Sequence, residues 1–220
     1  LSKHLEKEMS ALKRELLSLA AMVEDMVAKA VRSIEEKNEE LANQVILMDE
    51  QVDENEVHIE EECLKILALH QPVAIDLRYI IGALKMNNDL ERIGDLAVNI
   101  AQRVSTINKR PHVKSPFDYQ HMSVLTRTML HRAIDSLIGL DKARAKQVCL
   151  EDSKVDDLNR QMYQQVFAAI KETPEHVETL IQYLAVSRNL ERIADYSTNI
   201  AEDVIYMVEG VIVRHSPDLA

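Results

Sequence analysis

The chain of 220 residues contains no tryptophan, two phenylalanines, four glycines and five prolines. So few turn-forming and aromatic residues argue against a fold of many short strands, and the abundance of Leu, Ala, Glu and Lys predicts an all-α protein. The two cysteines, Cys63 and Cys149, form neither a CxxC pair nor a short disulfide framework, so both read as small core residues. No run approaches the ~20 apolar residues that cross a bilayer, and the opening LSKHLEKEMS carries no hydrophobic leader. The expectation is a soluble, intracellular protein. Positive charge is also short. With 26 basic and 37 acidic residues the net charge is −11, so nucleic acid would have to bind against the overall field and is not expected as a partner. There is no GxxxxGK[ST] loop, GxSxG elbow or GxGxxG turn, so no recognisable enzyme machinery is present.

What the chain does have is a repeat. Residues 88–101 read NDLERIGDLAVNIA and residues 188–201 read RNLERIADYSTNIA, an offset of 100 positions that marks two copies of one structural unit. The helical pattern breaks in the middle over NKRPHVKSPFD, where Pro111 and Pro116 bar continuation. Residues 1–108 therefore form a first unit, 109–118 a linker and 119–220 a second unit. Periodicity predicts helices over 3–37, 39–70, 73–108, 119–140, 142–171 and 174–209, with Thr173 as N-cap before Pro174 and Gly210 ending the last helix. The second helix carries an apolar stripe of Val45, Val52, Ile59, Cys63 and Ile66, answered at an offset of 103 by Val148, Val155, Met162, Val166 and Ala169. In the third helices Leu90, Ile93, Ala97, Ile100 and Val104 are answered by Leu190, Ile193, Ser197, Ile200 and Val204, with Ser197 the one lapse. Long helices joined by short loops pack antiparallel, so the architecture expected is two tandem antiparallel three-helix bundles related by an internal pseudo-twofold repeat.

The repeated positions include acids four apart, which places both carboxylates on one helical face. Glu91 and Asp95 recur as Glu191 and Asp195, each followed one turn later by Asn99 or Asn199. On the second helices Asp49 and Asp53 recur as Asp152 and Asp156, while the extension Glu56 and Glu60 becomes Asn159 and Tyr163. Any one such pair is most simply a solvated face. Four in matching places of two repeats, while neighbours drift from Leu96 to Tyr196 and from Val98 to Thr198, form a candidate metal site. Carboxylates with an amide suit hard or borderline cations: iron, manganese, magnesium, calcium or zinc. No histidine follows a glutamate by three, which disfavours a ferritin-like redox di-iron centre. Arg92 and Arg192 read as intra-bundle salt bridges or, less simply, as a planar fork for phosphate, and Arg78, whose counterpart is Glu178, carries the same ambiguity. The eight histidines show no ligand spacing, and the linker cluster of Lys109, Arg110, His112 and Lys114 reads as solubilising.

The motifs QPVAIDLR, NNDLERIGDLAVNIAQR and SRNLERIADYSTNIAEDVIYMVEG, with MDEQVDENE and LEDSKVDDLN, resemble the PhoU family of phosphate-transport accessory and regulatory proteins over nearly the whole chain. The resemblance implies paired three-helix bundles that carry divalent or trivalent metal ions, in multinuclear clusters, with iron or zinc foremost. Its ligand candidates here are Asp49, Asp53, Glu91, Asp95, Asp152, Asp156, Glu191 and Asp195, with Asn99 and Asn199 as weaker additions. It also implies a non-catalytic adaptor that negatively regulates the phosphate-starvation response. Its partners would be the ATPase subunit of a phosphate ABC transporter and a sensor histidine kinase, with the adaptor cytoplasmic and peripheral at the inner membrane through them. A homodimer is left open. The competing reading of the same acids is a metal-dependent hydrolase or metal store.

Overall fold

A computed structural model describes residues 3–110 and 113–210. Pro111 and His112 of the linker, and the last ten residues of the second unit, lie outside the described residues. Six α-helices account for nearly all of the rest: α1 (Lys3–Glu35), α2 (Glu39–His70), α3 (Ala74–Asn108), α4 (Tyr119–Gly139), α5 (Lys142–Glu172) and α6 (Val177–Glu209).

The helix ends have local causes. Lys37 turns left-handed (φ 53°) after α1, and the Asn38 amide bonds back to the Ser33 carbonyl at 2.9 Å, closing the orphan carbonyls of that end. The Asn38 side chain then accepts from the amides of Glu40 and Leu41 at 3.0 and 3.1 Å and opens α2. Asp118 and Asp141 cap α4 and α5 in the same way, accepting from His121 and Arg144. Gly210 ends α6 at φ 72°, where a side chain would be strained, and its amide bonds to Tyr206. One expected cap is corrected. The Thr173 hydroxyl donates to the Ala169 carbonyl at 2.9 Å inside α5 rather than capping a new helix. Pro174–His176 forms a short 3-10 turn, and α6 starts at Val177.

Each trio packs as an up-down-up bundle, and the two bundles meet chiefly along α3 and α6, with α1 against α4 as a lesser seam. The α3–α6 pair is antiparallel: Arg78 Nε donates to the Met207 carbonyl at one end (3.1 Å), Lys85 reaches Asp203 (3.0 Å), and Arg103 meets Gln182 (3.2 Å) at the other end. Residue numbers that rise on one helix as they fall on the other describe the approximate twofold relation between repeats. The repeated stripes form the core. Val45, Val52, Ile59, Cys63 and Ile66 are buried, as are Val148, Val155, Met162 and Val166, with Ala169 packed at the edge. Ser197 is also buried, and its hydroxyl donates to the Ile193 carbonyl at 2.8 Å, so the polar lapse is satisfied within its own helix. Cys63 is fully enclosed, and burial pushes its thiol up to about 12; Cys149 lies half-buried, pushed up to about 11. Neither is a poised nucleophile.

Candidate metal centre

The acids four apart line two grooves, one between α2 and α3 and one between α5 and α6. In both, the helix pair is held close by the apolar stripes beneath, so the carboxylates at the rim are only partly hydrated. The two grooves differ in what answers their charge.

In the first groove Asp49 lies over Gly94, where a Cβ would meet the Asp49 carboxylate at 3.7 Å and Val52 at 3.4 Å. Partial burial raises the Asp49 carboxyl above the usual range, and Asp53 and Asp95 add to the rise. Burial likewise raises Glu91, with Asp95 acting in the same direction and Arg92 opposing it. Arg92 supplies the countercharge here. Its Nη1 donates to Asp95 Oδ2 at 3.2 Å, and its Nε stands 3.4 Å from Glu91 Oε2. Asp49, Asp53, Glu91 and Asp95 thus share one field, with an exposed arginine answering Glu91 and Asp95 at its rim.

In the second groove three carboxylates converge. One oxygen each from Asp152, Asp156 and Asp195 lies within 4.8 Å of the other two, the one group of three acid or histidine ligands so placed among the described residues. Burial raises Asp152, Asp156 raises it further, and the nearby Thr198 hydroxyl draws it back somewhat. That hydroxyl is a weak answer to a carboxylate. Asp152 Oδ1 and Thr198 Oγ1 are both shut off from solvent and neither has another partner among the described residues, so a long contact with this one hydroxyl is all that answers the buried oxygen. Asp195 is exposed to solvent, yet desolvation of its groove side, then Glu191, Asp152 and Asp156, push it up to about 7 against the pull of Arg192. Glu191 is raised by burial and by Asp156 and drawn down by Arg188. Among the described residues Arg192 forms no ion pair with these acids, so the second groove holds converging negative charge without a seated cation.

The donor set fits a hard or borderline cation. Three oxygens converge and Asp152 offers one that is buried with only the Thr198 hydroxyl nearby, a position where an uncompensated carboxylate is costly and a cation would relieve it. Asn99 and Asn199 are half-buried one turn beyond Asp95 and Asp195 and make no hydrogen bond to the acids among the described residues. Arg92 takes the salt-bridge role and Arg78 a backbone carbonyl, while Glu178 pairs with Arg110. Asn159, in the place of Glu56, accepts from Ser187 Oγ at 2.9 Å and so braces α5 against α6. Thr198 and Arg188 escaped the sequence reading. The change from Val98 to a hydroxyl at Thr198 was the signal, visible only once α5 and α6 are paired.

With the groove geometry in hand, comparison with known proteins gives a consistent result. The PhoU domain family matches residues 16–104 and 119–204, one match per bundle. A protein of Aquifex aeolicus named phosphate-specific transport system accessory protein PhoU homolog is 37% identical over 209 residues, covering 95% of each chain. The crystal structure of PhoU from Pseudomonas aeruginosa superposes with a TM-score of 0.89 at 34% identity, covering 94% of this chain and 99% of that one. The phosphate transport system regulatory protein PhoU from Streptococcus pneumoniae superposes at 0.88 with 27% identity, covering 95% and 99%.

Proposed function

The chain belongs to the PhoU family, and from that premise we propose that it is a metal-binding, non-catalytic adaptor of a phosphate-specific transport system. It restrains the phosphate-starvation response by linking the transporter's ATPase subunit to a sensor histidine kinase, and it works at the cytoplasmic face of the inner membrane through those partners. No helix among the described residues is long and apolar enough to cross a membrane, which agrees with attachment through partners.

The observation that carries the metal part is the convergence of Asp152, Asp156 and Asp195, with an Asp152 oxygen buried and answered by no cation among the described residues. These three residues would hold the cation, with Glu191 and Thr198 at the rim; in the first groove Asp49, Asp53, Glu91 and Asp95 would do so only in competition with Arg92. A bound cation supplies positive charge that cancels the repulsion and ties α5 to α6. The residues themselves do the rest: Val155 and Ile193 are fully buried members of the apolar stripes, and the Asn159–Ser187 bond ties α5 to α6 farther along.

The test is complementation. In a host lacking its own PhoU, the chain should silence a phosphate-starvation reporter in phosphate-rich medium and co-purify with the ATPase subunit and the kinase. An unsilenced reporter with neither partner recovered would defeat the adaptor reading. Elemental analysis of gently purified protein and of Asp152→Asn/Asp195→Asn addresses the metal separately: equal metal content in both would defeat the assignment of these ligands.

A further inference from the structure

Helix α2 carries ten acids against one lysine, whereas its counterpart α5 carries six bases against five acids. The duplicated helices have therefore diverged in charge while keeping the same core stripe. On the outside of α2, Ile46, Val57 and Leu64 fall along one line at intervals of eleven and seven residues and are 38%, 52% and 53% exposed. That line is about 27 Å long at 1.5 Å per residue. Glu56 and Glu60 flank it on the side toward α3 and Glu50, Glu54 and Glu61 on the other, while Asp53 stands on the line itself between Ile46 and Val57. Among the described residues none of these six acids forms an ion pair. The nearby cations are committed elsewhere: Lys29 to Asp25, Lys65 to Glu62, and Arg92 to Glu91 and Asp95. Within the chain α2 packs on α1 and α3 alone, so this face is open.

An apolar stripe between two acidic margins matches one kind of occupant, a helix with an apolar face bordered by Lys and Arg. We propose that the outer face of α2, along Ile46, Val57 and Leu64, is the docking surface for a basic amphipathic helical segment of a protein partner. An anionic membrane surface or a nucleic acid would be repelled by the same acids. A second copy of this chain is a poor match. The equivalent positions on α5 are Cys149, Arg160 and Phe167, and Lys142, Arg144 and Arg160 are already paired to Glu209, Asp135 and Asp157. The stripe spans about five turns, so the occupant needs a helix of some 18 residues.

The test uses an 18-residue Leu/Lys peptide of amphipathic helical order, a scrambled peptide of the same composition, and vesicles containing phosphatidylglycerol. Calorimetric titration of the full chain at 150 mM salt should show binding of the ordered peptide at least tenfold tighter than the scramble, and no vesicle binding. Val57→Ser/Leu64→Ser should weaken the ordered peptide at least tenfold, while Phe167→Ser should not; far-UV circular dichroism checks that both variants are folded. Glu50→Gln/Glu54→Gln/Glu61→Gln should weaken it and flatten its salt dependence. Equal binding of the two peptides, unchanged binding to Val57→Ser/Leu64→Ser, absence of binding, or binding to vesicles would each overturn the proposal. Asp152→Asn should leave the titration unchanged, which separates this proposal from the metal reading.

Discussion

Replacing Asp195 by asparagine should stabilise the metal-free protein above neutral pH. In the folded chain, desolvation first and then Glu191, Asp152 and Asp156 hold the Asp195 carboxyl at about 7, against an ordinary 3.8. Between those two values the folded state binds more protons than the unfolded state, so stability falls as pH rises through the window. The full difference corresponds to an upper limit of about 4 kcal/mol. Because Asp195 is exposed, screening by solvent reduces this to about 1–2 kcal/mol. Urea unfolding of chelator-treated protein should therefore show wild type losing stability from pH 5 to pH 8, and Asp195→Asn losing about 1–2 kcal/mol less. Asp49, Glu56, Glu91 and Asp152 are also raised and contribute to the fall in both proteins, so the difference between the two isolates Asp195. Excess divalent metal at pH 8 should restore wild type and leave the variant little changed. Wild-type stability that is flat or rising over this range, or a variant less stable than wild type at pH 8 without metal, would refute the reasoning.

Arg92→Gln should free Glu91 and Asp95 for ligation, raising first-groove affinity for manganese or zinc several-fold in calorimetry on an Asp195→Asn background. Metal-free stability should barely change in the same variant, because the ion pairs that Arg92 makes are exposed and screened by solvent. Lys85→Met removes a charged partner 3.0 Å from the buried Asp203 at the α3–α6 seam, and denaturant unfolding should register a loss of about 2 kcal/mol. Gly94→Ala adds a methyl at ordinary contact distance from Val52 and copies Ala194 of the second repeat. Relief of the glycine penalty in a helix should raise stability by about 0.5–1 kcal/mol, read by thermal or urea unfolding. Turnover assays with a phosphate monoester and manganese, iron or zinc should show no hydrolysis; metal-dependent turnover abolished by Asp152→Asn would favour the hydrolase reading instead.

The fold was legible because its determinants repeat. Two apolar stripes recur at fixed offsets, and a stripe such as Val45, Val52 and Ile59 admits one buried helical face, here turned between α1 and α3. The turns were legible where a cap is local, as at Gly210. They were not legible at Thr173, where the hydroxyl could bond back into α5 or forward to the next helix and the sequence does not rank the two. The metal candidates were legible as acids but not as a site. Which carboxylates converge depends on the pairing of α5 with α6, on the seating of Arg92, and on the hydroxyl of Thr198 beside Asp152. None of these is a spacing. The exchange of Glu56 and Glu60 for Asn159 and Tyr163 marks the two grooves as unequal; the three converging carboxylates lie in the second, and Asn159 serves as a brace for Ser187.

Duplication explains how one scaffold carries two unlike surfaces. The α3–α6 seam and the buried stripes fix both bundles, and they tolerate little change because a core residue that alters in size leaves a cavity or a clash. Rim positions are not so bound. On the first rim Arg92 answers the groove acids and the outer face of α2 keeps a large uncompensated negative charge. On the second rim the outer face is nearly neutral and the groove acids lack a seated cation. If these differences are functional, substitutions on the two rims should separate cleanly: Asp152→Asn should abolish metal retention without affecting a basic peptide on α2, and Val57→Ser/Leu64→Ser should do the reverse. Loss of both properties from either change would mean that the two rims act as one unit and that the charge divergence between α2 and α5 has no separate role.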